Sequence, residues 1–189
     1  MGLPQSTSLP IGSLTLNKGM RYNLTPDLVS GMIDDAKHCF FESNRPIREK
    51  KLLRELNPFI YFNERLKSTW GRAWVCHSYH PERLIVGIDR SLPRVNVEGR
   101  KCWFVLEINP TSQYAPGYEV RDTVSHELAH LLDFRLTGYY NRFKEDHHQG
   151  WKDIHLAMGG NGEAHGPEDI DLSRIRKLNR FRNRCHWRG

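Results

Sequence analysis

No apolar run in the chain approaches the ~20 residues that a membrane-crossing helix needs, no cysteines are spaced as CxxC, and no segment repeats. The four cysteines, Cys39, Cys76, Cys102 and Cys185, are scattered over 189 residues. That scatter speaks against a disulfide scaffold and against a four-cysteine zinc ribbon, and reduced thiols in a cytoplasmic protein are the expectation. The first twenty residues lack the basic start and continuous apolar core of a secretory signal. Gly2 and Ser6 fit the loose N-myristoylation pattern, but no basic cluster follows to supply a second anchor. An irregular polar arm over residues 1–20, with no membrane partner, is therefore expected. Charge of one sign is also missing from most of the chain. Residues 171–189 hold seven cations and one anion, a balance equal to the whole formal charge of +6, so the first 170 residues are neutral.

What is present is a globular composition, 38% hydrophobic and 26% charged, in a length suited to one domain. Thr25-Pro26-Asp27 supplies an N-cap, a first-turn proline and a first-turn acid. They predict a helix over 26–42 with Leu28, Met32, Ile33, Ala36, Cys39 and Phe40 along its inner side. A second helix is expected over 48–56, closed by Asn57-Pro58. Four short runs rich in aromatic and branched residues follow, at 60–66, 70–78, 84–88 and 103–109. Close succession favours antiparallel pairing, because parallel strands need long crossovers. A long helix over 119–136 and another over 149–158, stopped by Gly159-Gly160, complete the body.

The long helix carries His126-Glu127-Leu128-Ala129-His130. Residues four apart on a helix point the same way, so both imidazoles can reach one ion. Glu127, one residue from the first ligand, can take a proton from the water that a catalytic zinc site retains. Val124, Leu128, Leu131 and Leu132 surround the pair with core-like residues, unlike a chance match on a surface helix. The metzincin pattern fails, because Asp133 and Leu136 stand where it needs Gly and His. For a third ligand, Glu145 or Glu163 would answer a thermolysin-like arrangement. His147, followed by Trp151, is the better candidate, with His148 as its rival. Asp133 can serve as a hydrogen-bond partner of an imidazole or as a solvated acid. Tyr139 and Tyr140 are candidate oxyanion stabilisers.

These residues resemble the SprT-like family of zinc peptidases, which pairs HExxH with a later His followed four residues on by an aromatic. His147 and Trp151 match that spacing, although His148 stands where the family usually has Gly. The stretch Thr123-Val-Ser-His-Glu-Leu-Ala-His-Leu-Leu132 is similar to bacterial members. So are Arg65-Leu-Lys-Ser-Thr-Trp-Gly-Arg-Ala73, at a strand and Gly-containing turn, and Phe104-Val-Leu-Glu-Ile-Asn-Pro110, at the strand before the active helix. The likeness spans about residues 24–160. It implies an α+β, zincin-like fold in which a small antiparallel or mixed sheet of three to four strands packs on the HExxH helix and further helices. It implies a peptidase domain over 21–168 with one zinc on His126, His130 and His147, Glu127 as catalytic base, and a protein or peptide substrate. The zinc ribbon that many members carry is missing, since only Cys185-His186 stands near the end.

The remaining segment, 169–189, interleaves Arg174, Arg176, Lys177, Arg180, Arg182 and Arg184 with Ile175, Leu178 and Phe181. That pattern suits a tail or helix with one apolar side and a basic side that can lie along DNA phosphates. The family's association with DNA points the same way and would add a nucleoid or nuclear location. Two other functions remain open at this point: a nucleic-acid-binding or regulatory protein with a mainly structural metal site, and a zinc hydrolase acting on a non-peptide amide or ester.

Overall fold

A computed structural model of the chain describes residues 23–66, 69–77, 94–97, 99–115, 117–138 and 147–164. The expected arm over 1–20, the run at 84–88 and the basic segment 169–189 lie outside the described residues. Helix α1 (Pro26–Glu42) starts where Thr25 accepts the Leu28 N–H and Pro26 occupies the first turn. Its inner stripe is Val29, Met32, Ile33, Ala36 and Phe40. Two of the expected inner residues sit differently: Leu28 is half-buried at the rim and Cys39 is exposed. Val29 holds the inward place, at helical spacing with Met32 and Ile33. Helix α2 (Ile47–Arg54) is short and buries Leu53.

Strand β1 (Phe59–Phe62) is shorter than expected, because the Asn63 carboxamide accepts the Arg65 N–H at 2.9 Å and turns the chain. Strands β2 (Gly71–His77), β3 (Val95–Val97) and β4 (Arg100–Ile108) complete a four-stranded sheet. Strand β4 is the axis. It pairs antiparallel with β2 from Gly71↔Ile108 to His77↔Cys102. Its other edge takes β3, antiparallel, near its start and β1, parallel, near its end. The sheet is therefore mixed rather than antiparallel. The crossover that a parallel pair needs is the span 63–99, which contains β2 and β3. Strand β3 was not anticipated, although Val95-Asn96-Val97 alternates ahead of a turn in which Gly99 has φ +79°.

The corner after β4 directs the chain into the long helix. Asn109 is fully buried; its amide donates to the Leu66 carbonyl at 3.0 Å and its carbonyl accepts the Thr111 N–H at 3.0 Å. A 3₁₀ turn over Pro110–Tyr114 leads into α3 (Gly117–Thr137), which Gly138 ends at φ +72°. Helix α4 (Gln149–Ala157) packs on α3. The core joins Cys102, Phe104, Leu106 and Ile108 of β4 to Val120, Val124, Leu128, Leu131 and Leu132 of α3 and to the α1 stripe. Among the described residues, no helix is long and apolar enough to cross a membrane.

Burial in this core sets the expected cost of truncation. Leu106→Ala, at the centre of the axial strand, should lower the unfolding free energy by about 2–5 kcal/mol. Ile47→Ala, at a site 84% exposed, should stay within about 0.5 kcal/mol. Urea unfolding monitored by circular dichroism checks both.

Candidate metal centre

Four residues separate His126 from His130 on α3, and the helix sets their rings side by side with centroids 4.9 Å apart. His147 arrives from the residues just before α4, its ring 5.0 Å from His126 and 4.9 Å from His130. The three Nε2 atoms are closer together than the rings that bear them, at 3.1, 3.2 and 3.2 Å. The rings therefore converge on one point, nitrogen foremost. Two ligands of a tetrahedral zinc with bonds of about 2.0–2.1 Å stand roughly 3.3–3.4 Å apart, so this triangle fits such an ion. No other cluster of three such donor residues occurs among the described residues.

Electrostatics favours the ligand form. Burial pushes the pKa of His126 from 6.5 to about 3, and the neighbouring imidazoles push the same way. His130 falls to about 3 for the same two reasons, burial first. Neutral imidazole is the form that binds a metal. Three imidazoles suit zinc and also accept manganese, cobalt or nickel.

Trp151, fully buried on α4, lies against all three rings at centroid distances of 4.6, 5.1 and 4.5 Å for His126, His130 and His147. His148, the rival third ligand, is turned away from the triad. Its Nδ1 accepts the Gly150 N–H at 3.1 Å, capping α4, and its Nε2 donates to Asp133 at 3.0 Å. Asp133 thus pairs with His148. Glu163 is exposed and lies outside the cluster. Glu145, Tyr139, Tyr140, Arg174, Arg176, Lys177, Arg180, Arg182 and Arg184 lie outside the described residues.

Glu127 leaves α3 on a different side, towards the start of β2. It is 7% exposed, and the Ala73 backbone N–H donates to its carboxylate. Burial raises its pKa from 4.5 to about 8, against the pull of that N–H and of Arg72. The approach is close enough to demand glycine at Gly71, where a Cβ would stand 2.7 Å from Thr123 Cγ2 and 2.9 Å from Glu127 Cγ. Arg72 reaches across the sheet to Glu107, 2% exposed, at 2.8 Å, and Asn63 also donates to that carboxylate.

Comparison of the chain with protein-family models, with curated proteins and with solved structures finds no match. Nothing outside the chain shows its family. The resemblance to SprT-like peptidases rests on the residues quoted above, and the geometry stands by itself.

From sequence alone His155 is one of the ordinary polar or partly buried histidines, yet it is fully buried beside the His126 ring, 5.3 Å between centroids. It contacts Ser125 Oγ at 3.1 Å and Asp122 at 3.4 Å. Its place four residues after Trp151, on the same helical face, was the available signal. Gly160 belongs to this packing too, since a Cβ there would run into the His155 ring.

These shifts fix the pH response of the chelator-treated protein. The unfolded chain binds protons at His126 and His130 below 6.5 while the folded chain does not, so stability gained above 6.5 is lost as pH falls from 6.5 towards 3. Glu127 acts oppositely: the folded state holds its proton up to about 8, so stability present below 4.5 is lost as pH rises from 4.5 to 8. The two histidines outweigh the one carboxyl below 6.5. Thermal melts should therefore peak near pH 6.5, and Glu127→Gln should remove the decline between 6.5 and 8.

Proposed function

We propose that the protein is a zinc-dependent peptidase of the SprT-like kind that hydrolyses peptide bonds in protein substrates. The observation that carries this reading is the convergence of the His126, His130 and His147 Nε2 atoms within 3.2 Å, with the Glu127 carboxylate on the intervening turn of the same helix. A zinc ion bound by the triad supplies a Lewis acid for the scissile carbonyl and a water of lowered pKa. A structural zinc is enclosed by four protein donors. Three converge here among the described residues, which favours the catalytic reading over a purely structural one.

In this mechanism Glu127 takes a proton from the attacking water and delivers it to the departing amine nitrogen, acting first as base and then as acid. Without metal its pKa stands near 8, so a dication on the neighbouring imidazoles would be needed to favour the ionised form that the first half of that task requires. The Ala73 N–H and the Arg72 charge favour the ionised form, burial favours the protonated one, and the carboxyl is balanced between them. An extended substrate can add along β2, whose outer edge has no strand partner among the described residues. That mode selects unfolded or extended segments over folded ones.

Glu127→Gln should retain zinc and fold, while cleavage of casein falls to the level seen with a chelator. Undiminished cleavage by that variant would sink the mechanism. Wild type tested on a DNA-bound protein alongside casein would separate a DNA-directed protease from a general one.

The basic segment after the body supports a second element of the proposal, contact with DNA phosphates. Removal of residues 172–189 should weaken binding to a mixed-sequence duplex and flatten the dependence of log K on log salt, with zinc content unchanged. Fluorescence anisotropy at several salt concentrations reads both; equal slopes for the two proteins would remove the tail from the proposal.

A further inference from the structure

Helix α3 presents Asp122, His126, His130 and Asp133 at spacings that put them along one face. The facing residues of α4 and its cap are His148, Trp151 and His155. Asp133 pairs with His148 at one end and Asp122 with His155 at the other, with Trp151 between them beneath the triad. Two of the three converging imidazoles come from α3 and are placed by that helix alone. The third does not. His147 stands before α4 and belongs to no helix, so its position depends on where the start of α4 sits along α3.

Trp151 fixes the depth of α4 against the rings, stacked on His130 and edge-on to His126 and His147, but non-directional packing of this kind does not by itself set a register. The bond from His148 does. A neutral imidazole that accepts at Nδ1 carries its proton on Nε2. One tautomer of His148 therefore accepts the Gly150 N–H, capping α4, and donates to Asp133 on α3. The residue next to His147 is in this way tied both to the helix that follows it and to the helix that bears the other two imidazoles.

We propose that Asp133 and His148 are positioning residues that hold His147 in the metal triad. This rests on the metal-binding reading of that triad. The pair at the other end, Asp122 and His155, lies beside His126, whose place α3 already sets; it acts on packing rather than on the third ligand.

The test is zinc affinity of the full chain, measured by competition with a chromophoric chelator, together with the visible absorption of the cobalt(II)-loaded protein. Asp133→Ala and His148→Ala should each weaken zinc binding about tenfold or more. Their cobalt bands should shift towards that of His147→Ala, and the metal-free circular dichroism should be unchanged. The double variant should be little worse than either single one, because both remove the same bond. Asp133→Asn, which keeps an acceptor oxygen, should retain most of the affinity. Unchanged affinity in Asp133→Ala, or additive losses in the double variant, overturns the inference while His130→Ala still reports on the metal site. If Asp133→Ala does not fold, His148→Asn carries the test: it can still cap α4 but is too short to keep the bond to Asp133, so zinc affinity should fall about tenfold, and wild-type affinity would overturn the inference. Wild type that binds no zinc overturns the metal reading itself, and this inference with it.

Discussion

Three imidazole Nε2 atoms converge to 3.1–3.2 Å of one another, a crowding that the surrounding structure has to hold. Helix α3 sets two of the rings, and a stiff support stands behind all three. That support is Trp151, fully buried, its ring against all three imidazoles. An indole offers large, rigid contact area with few torsions to freeze, which suits it to the task. Ile154 and Met158, buried on the same stretch, anchor Trp151's helix in the core. The triad geometry thus rests on α3, on this aromatic contact and on the helix that delivers it.

Helix α3 meets three different demands around its circumference. One side, with Val120, Val124, Leu128 and Leu131, fills the core between the sheet and α1. A second carries the histidines and aspartates towards α4. A third turns Glu127 onto the edge of the sheet, where Gly71 removes the side chain that would keep helix and strand apart. A helix buried on most sides loses the simple apolar stripe of a surface helix. Several polar groups buried around it have partners: Ser125 meets His155, Glu127 receives the Ala73 N–H, and Glu107 across the sheet receives Arg72 and Asn63.

The parts of the fold that were legible from sequence are those governed by local chemistry. Thr25-Pro26 marked the start of α1, and the four-residue step from His126 to His130 marked a shared helical face, because caps and periodicity act over a single turn. The parallel pairing of β1 with β4 was not legible, since it depends on which edge of β4 remains after β2 has paired. Strand β3 is three residues long and too short for its alternation to stand out. In the site, His147 followed by Trp151 pointed to the residue that now stands beside the two helical histidines. The burial of His155 and the need for glycine at Gly71 are properties of two elements meeting, and a single segment read alone does not carry them.

The protonation of the metal-free site has a consequence for how it is loaded. His126 and His130 are held neutral, with pKa values near 3, so they need shed no proton to accept an ion at neutral pH. Glu127 is in the opposite condition, since burial keeps its proton up to about pH 8 while the Ala73 N–H and Arg72 favour releasing it. A dication held by the neighbouring imidazoles would add to the side that favours the carboxylate. Under the proposed peptidase reading, metal loading and ionisation of Glu127 would be one coupled event. A carboxyl placed in solvent would be ionised at neutral pH with or without the metal. In that reading the burial of Glu127 against Gly71 would make the coupling possible and give the close contact between α3 and β2 a chemical role as well as a packing one.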